Sequence, residues 1–126
     1  MNSKLRFSKD IVSTLHKSQI LGLRAGTQPH RFIGVWFVVV KDRVFVRPWN
    51  NIPQGWYQAF MNEPVGVIQI ADREMPIRVR RSRGEHLMDA IDVAYEEKYP
   101  TPGSRKYVIG FAKKHRRATT LEILPR

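Results

Sequence analysis

The chain has 126 residues, no cysteine, and 22 lysines and arginines against 11 acidic residues, for a formal net charge of +11. This length fits a single domain over residues 1–126 that buries its own core. The lack of cysteine excludes disulfides, thiolate metal sites and cysteine nucleophiles. The positive charge favours nucleic acid, anionic surfaces or phosphorylated molecules as partners.

The sequence predicts neither a membrane segment nor a signal peptide. The first residues, MNSKLRFSKDIV, lack an apolar core behind their charges, and the longest apolar run, Val35 to Val40, is too short to cross a bilayer. We therefore expect a soluble, cytoplasmic protein that has no membrane partner.

A short helix and a strand are predicted at the start of the chain. Ser8 is a suitable N-cap for a helix through about His16, because its hydroxyl can accept a hydrogen bond from the first turn. Gln19 to Ala25 has the composition of a strand, and Gly26 marks the turn that ends it.

An apolar hairpin follows. Ile33 to Val40 is almost entirely apolar and rich in β-branched residues, which predicts a strand buried on both faces. Val44 to Arg47 resumes after a short polar turn, so the two runs are expected to pair antiparallel. Because side chains alternate along a strand, Phe45, Arg47 and Trp49 are expected to share one face.

The second half of the chain predicts a further hairpin, a long helix and a last strand. The elements, in chain order, are a helical turn at Gly55 to Met61, strands at Val65 to Ala71 and Met75 to Arg81, a helix at Gly84 to Lys98, and a last strand at Thr119 to Leu124. Before that strand, residues 104–117 fit either a helical turn, which we favour, or a strand followed by a basic loop. Six strands with a few short helices and no βαβ alternation indicate a mainly β protein, a small antiparallel barrel with peripheral helices.

Conventional catalytic patterns are missing from the sequence. The four histidines are scattered without metal-ligand spacing, so no metal site is expected. Asp89, Asp92 and Glu96 have the spacing of an ordinary solvated helix face, which is how we interpret them. The sequence assigns no catalytic residue.

Two outward-facing arginines offer one possible binding surface. In the strand from Met75 to Arg81, Arg78 and Arg80 alternate with apolar residues and are expected to face away from the core. They are candidates for binding the phosphates of nucleic acid or another polyanion. The interpretation favoured by the lack of RNA-binding motifs is that they pair with the acidic helix instead.

The loop after the first hairpin offers another possible site. It gathers a guanidinium, an amide and three large aromatic side chains within eleven residues, which suits a planar anionic ligand: Arg47, Trp49, Asn50, Trp56 and Tyr57. The alternative is that the aromatic residues close the barrel mouth or pack across a dimer interface.

These motifs resemble a known family. VFVRPW, GWYQAF, NEPVGVIQI and the terminal TTLEILPR are similar to the bacterial family called domain of unknown function 2255, over about Ser8 to Arg126. A weaker resemblance, carried by Trp56-Tyr57 and Asn62-Glu63-Pro64, links the chain to the split β-barrels of the pyridoxamine-phosphate-oxidase and deazaflavin-dependent nitroreductase groups.

The resemblance implies a six-stranded split barrel, usually a homodimer, that binds FMN or the deazaflavin F420 and acts as an oxidoreductase. Arg47 would then contact a phosphate, and Trp49, Asn50, Trp56 and Tyr57 would surround the cofactor. Trp36 departs from the deazaflavin group, which has a smaller residue there, so a cofactor-free split barrel is an alternative. A non-enzymatic module that binds polyanions is another.

Overall fold

The computed structural model describes residues 6–126. It contains five α-helices, a short 3-10 helix (Pro102–Ser104) and seven strands in this range. The first predicted helix does begin after the N-cap Ser8, whose hydroxyl accepts a hydrogen bond from the Ile11 amide. The elements are α1 (Lys9–Lys17), β1 (Leu21–Ala25), β2 (Ile33–Val35), β3 (Phe37–Val40), β4 (Arg43–Val46), α2 (Trp56–Asn62), β5 (Val65–Ile70), β6 (Arg73–Arg81), α3 (Glu85–Lys98), α4 (Arg105–Phe111), α5 (Lys114–Arg117) and β7 (Leu121–Pro125).

The strands form one antiparallel sheet that curls into a nearly closed barrel. Their order is β2-β1-β5-β6-β7-β4-β3, and the two edge strands are separated along the chain only by Trp36. β2 pairs with β1 and β3 pairs with β4, so the segment changes partner at Trp36. The antiparallel barrel is confirmed. The sequence predicts six strands and the structure has seven, because the predicted strand Ile33 to Val40 divides at this residue.

A two-residue turn fixes the hairpin of β3 and β4. Lys41 and Asp42 both adopt the left-handed conformation, with φ of 52° and 63°, as a type I′ turn requires. The turn sets the pairing of Phe37 with Val46 and of Val39 with Val44. It thereby fixes which side chains of β4 enter the barrel.

The apolar residues form two clusters on opposite sides of β4. Val44 and Val46 pack inside the barrel with the other inward-facing strand residues. Phe45 faces outward and packs under α3 and α4, against residues that include Tyr95 and Phe111. The alternation predicted for this strand therefore separates the barrel interior from a second layer formed by the helices.

Tyr99, at the end of α3, ties the strand interruption to this helical layer. Its hydroxyl accepts a hydrogen bond from the Phe37 amide at 3.1 Å and lies 2.6 Å from the Gln19 carbonyl oxygen. Its ring is stacked on Trp36, with centroids 4.1 Å apart and planes 5° from parallel. Trp36 and Phe37, the two residues where the chain changes strand partner, are thus held by one side chain.

Lys98 places an amine in the apolar contact between α3 and β3. Its Nζ is buried, has no hydrogen-bond partner among the described residues, and lies 3.2 Å from the centroid of the Phe37 ring. Burial lowers the pKa of Lys98 to about 8 from an ordinary 10.5, and the attraction of the ring face for an ammonium opposes part of this effect.

We expect the stability of the protein to rise between pH 8 and pH 10.5 through this residue. In that interval the unfolded chain retains a proton on Lys98 that the folded chain has lost, so the free energy of unfolding increases with pH. Urea unfolding of the wild type and of Lys98→Met, at about pH 7.5 and about pH 10, measures this effect. The wild type should gain stability relative to the variant at the higher pH, and a constant difference would contradict the assignment. The tyrosines titrate in both proteins, so their contribution to the free energy of unfolding cancels in the difference between wild type and variant.

Candidate functional site

A cleft of about 350 Å³ opens beside the strand interruption at Trp36. Its walls come from the β2–β3 segment, from the loop after β4, from α2 and from α4. All three tryptophans of the chain line it. The other side chains that matter to its chemistry are Arg47, Tyr107 and Phe111.

Trp36 forms a fixed wall of this cleft. One face of its indole lies on Tyr99, and its other close aromatic neighbours are Tyr107, edge-on at 5.9 Å between centroids, and Phe111 at 6.2 Å. Stacked and edge-to-face contacts of this kind hold a large ring in one orientation. Trp36 is therefore part of the preformed surface of the cleft.

Trp49 forms a second, more exposed wall. Trp49 is 37% exposed, and its ring packs edge-on against Tyr107 and Phe111. The Arg116 guanidinium lies over the ring, 3.7 Å from the ring centroid, and its Nε donates a hydrogen bond to the Trp49 carbonyl. Arg116 Nη1 also donates to the Gly110 carbonyl. One arginine thus holds the loop, the indole and α4 together.

Trp56 and Tyr57 lie on different sides of α2. Trp56, the first residue of the helix, is half-buried, packs edge-on against Phe60 and lines the cleft. Tyr57 is 5% exposed and belongs to the barrel core. Successive residues of a helix point about 100° apart, so adjacent aromatic residues at the helix start reach different surroundings.

Arg47 is buried behind the cleft and bonded to the protein. Its Nε donates to the Thr120 hydroxyl at 2.8 Å, and its Nη1 donates to Asp92 Oδ1 at 2.6 Å and to the Phe111 carbonyl at 3.0 Å. Its Nη2 makes two long contacts, both to Met88, at 3.5 Å from the carbonyl oxygen and 3.6 Å from Sδ. These bonds position the helical layer against β4.

Asp92 links Arg47 to a second arginine. Its Oδ2 accepts a hydrogen bond from Arg117, which also pairs with Asp89 and Glu85. The side chain of Asp92 is 19% exposed, whereas that of Asp89 is 68% exposed. The prediction of a solvated acidic face is therefore wrong for Asp92, because its side chain turns inward to Arg47, which directly follows β4.

The residues predicted to form a site are only partly brought together. Arg47, Trp49 and Trp56 line the cleft; Asn50 is exposed on the loop, and Tyr57 points into the core. Contact of any of them with a cofactor stays a prediction. Sequence motifs did not identify Trp36 as a wall of the cleft, nor the aromatic pair Tyr107 and Phe111 of α4. A spacing of four residues within one helix was the available signal, since it places Tyr107 and Phe111 on one face.

Arg80 pairs with β7 and not with the acidic helix. Its Nη2 lies 2.9 Å from Glu122 Oε1, and Arg43 bonds the same carboxylate from β4. Burial raises the pKa of Glu122, but hydrogen bonds from the two arginines outweigh it and hold that pKa below its ordinary value. Arg78, also proposed from the sequence for polyanions, is half-buried on β6.

Within residues 6–126, no group of three or more histidine or acidic side chains is arranged to hold a metal ion. No helix in this range has the length and apolar character needed to cross a membrane.

Comparisons with known proteins identify similar folds. The conserved hypothetical protein Rv2991 of Mycobacterium tuberculosis superimposes with a TM-score of 0.60 at 11% identity, over 100% of this chain and 84% of that one. An F420-H2 dependent reductase, FDR-A, gives a TM-score of 0.56 at 19% identity, over 83% of this chain and 91% of its own. At these identities the likeness concerns the fold, a split barrel. No curated protein sequence matches. The family model for uncharacterised proteins conserved in bacteria, domain of unknown function 2255, matches residues 10–123, and the chain belongs to that family.

Proposed function

We propose that the aromatic cleft binds the planar ring system of a deazaflavin or flavin cofactor, F420 or FMN, and that the protein is an oxidoreductase. The observation that carries the proposal is the convergence of all three tryptophans on one cleft at the point where the barrel strand is interrupted. The volume, about 350 Å³, is within the range of small-molecule sites. The fold shared with an F420-H2 dependent reductase adds support.

The residues of the cleft suit the ring better than they suit a phosphate. Trp36, Trp49 and Trp56 present aromatic surfaces, which favour stacking of a planar ligand. Arg47 has its Nε and Nη1 donors committed to the protein and its side chain fully buried. We therefore propose that Arg47 positions the wall formed by Phe111, and that Arg116, over Trp49 at the rim, is the cation nearest an anionic group of the ligand.

When bound, such a cofactor supplies hydride transfer, which is consistent with a site that has no acid–base pair of its own. The chain would contribute binding, orientation and exclusion of water. Aromatic walls on several sides leave the ring one orientation. The partly exposed Trp49 would be the part of the surface that orders on binding, because it lies at the mouth of the cleft.

We also propose that the protein acts as a cytoplasmic homodimer in which the second subunit covers this cleft. Large apolar side chains remain exposed around its rim: Ile33 is 44% exposed and Tyr107 is 40% exposed, beside Trp49. Ile52, on the same loop as Trp49, is 52% exposed. Apolar side chains grouped in this way mark interaction surfaces.

Titration with oxidised F420 and with FMN tests the proposal. Since every tryptophan lines the cleft, we expect saturable quenching of the intrinsic fluorescence by one of the two cofactors. Trp49→Ala should weaken its binding about tenfold, the loss of roughly 1.4 kcal/mol of stacking. The matched control is Val93→Ala, at an exposed apolar residue of α3 outside the cleft, which should bind as the wild type does. The proposal fails if neither cofactor gives saturable quenching, as a cofactor-free barrel would behave.

A further inference from the structure

We infer that a second cleft, formed by the loop between β6 and α3 together with α5, binds the phosphate groups of a small phosphorylated molecule. The cleft has a volume of about 300 Å³ and shares no lining residue with the aromatic cleft. Four cationic side chains line it: Arg81, Arg83, Lys114 and Arg117. Glu85 is the one carboxylate in its lining.

Three of these four cations lack a counterion among residues 6–126. Within the described part of the chain, Arg117 is paired with acidic residues of α3, whereas Arg81, Arg83 and Lys114 take part in no ion pair. Both arginines and Lys114 are exposed. Cations that converge on one concave surface without neutralisation repel one another, and an anion between them relieves this repulsion.

The two walls of this basic cleft are held together before any ligand arrives. The Ser82 amide, between Arg81 and Arg83, donates to the Thr120 carbonyl at 3.1 Å. The Thr120 hydroxyl donates to the Arg117 carbonyl at 2.8 Å. Thr120 therefore fixes the end of β6 and the following loop, which carry two of the cations, against α5, which carries the other two. Prior ordering of this kind reduces the entropic cost of binding.

Phosphate is the ligand chemistry that this arrangement fits. The planar guanidinium of arginine donates two parallel hydrogen bonds to phosphate oxygens, and lysine adds a point charge. α3 begins at Glu85 without a side-chain cap, so the positive end of this 14-residue helix faces the same lining, where the Glu85 carboxylate offsets part of its potential. Three cations without counterions around one concavity, beside the paired Arg117, suit a compact di- or triphosphate. A nucleic-acid backbone instead requires cations along a continuous track.

Calorimetric titration with inorganic pyrophosphate, in the absence of any flavin or deazaflavin, tests this site independently of the aromatic cleft. We expect saturable binding with one site per chain. The double variant Arg83→Ala/Lys114→Ala should raise the dissociation constant at least about tenfold, since two charge-assisted contacts are lost. The matched control Lys106→Ala/Lys113→Ala removes the same net charge from exposed residues of neighbouring segments that do not line the cleft, and should bind within about twofold of the wild type.

The competing outcomes are distinct. Equal weakening in both double variants, or no saturable binding of pyrophosphate, would overturn the proposal. A single-stranded oligonucleotide provides the second arm of the experiment. If pyrophosphate competes with the oligonucleotide and the two ligands bind with similar affinity, the result supports a phosphate site in the cleft. If the oligonucleotide binds much more tightly than pyrophosphate and both double variants weaken its binding equally, the cations act as an extended surface. That result would overturn the proposal.

Discussion

Replacing Asp92 with alanine is expected to lower the free energy of unfolding by about 3–5 kcal/mol, the usual effect of removing one partner from a buried ion pair. Arg47 has no exposed side-chain surface, and its Nη1 lies 2.6 Å from the Asp92 carboxylate. Without Asp92 the guanidinium stays buried in a medium that solvates charge poorly. Arg117 also loses the most buried of its three carboxylates.

Two further variants separate this effect from a general loss of charge on α3. Asp89→Ala removes the same chemical group one turn earlier, but the side chain is 68% exposed, so its loss should change stability by about 0.5 kcal/mol or less. Arg47→Met removes the buried charge itself and leaves Asp92 paired with Arg117, so it should be less destabilising than Asp92→Ala. Urea unfolding followed by far-ultraviolet circular dichroism measures all three. Similar losses for Asp92→Ala and Asp89→Ala would show that the network contributes little.

The position of Asp92 shows why helix periodicity did not identify this network. The spacing of the acidic residues on α3 specifies their angle around the helix axis and says nothing about the element that packs there. Arg47 directly follows β4, 45 residues earlier in the chain. Strand alternation did predict that Phe45 and Arg47 share a face, and both do face the helical layer. Each local pattern was informative, but their contact required the packing of α3 on β4.

The sequence also did not predict that the strand divides at Trp36. Ile33 to Val40 has no proline or polar residue to mark a break. An apolar run indicates that a strand is buried but does not indicate which strand it pairs with. At the change of partner the chain contacts Tyr99, 62 residues away, which accepts a hydrogen bond from the Phe37 amide and stacks on Trp36. The strand pattern predicted a small antiparallel barrel and the resemblance to a known family implied a split barrel, but only the structure located the cleft.

Gly110→Ala is expected to displace Trp49 and weaken the proposed binding of F420 or FMN about tenfold, while the fold is retained. A Cβ on Gly110 would lie 2.7 Å from Trp49 Cζ3 and closer still to Cη2, so one of the two must move. The α4 backbone is held at this point, because the Gly110 carbonyl accepts hydrogen bonds from Arg116 and from the Lys113 amide. The partly exposed Trp49 indole is therefore the group that is expected to move.

Gly103→Ala is the matched control, since a Cβ there would have no heavy atom within 4 Å. Near-ultraviolet circular dichroism reports the environment of Trp49 whether or not a cofactor binds, and should change in Gly110→Ala alone. Stability should change by less than about 1 kcal/mol, because the helix propensity gained from alanine offsets part of the packing lost around Trp49. An altered spectrum with unchanged affinity would show that Trp49 is not a wall of the cofactor site. An unaltered spectrum would mean that the helix gives way instead of the indole, and that Arg116 does not fix this side of the cleft.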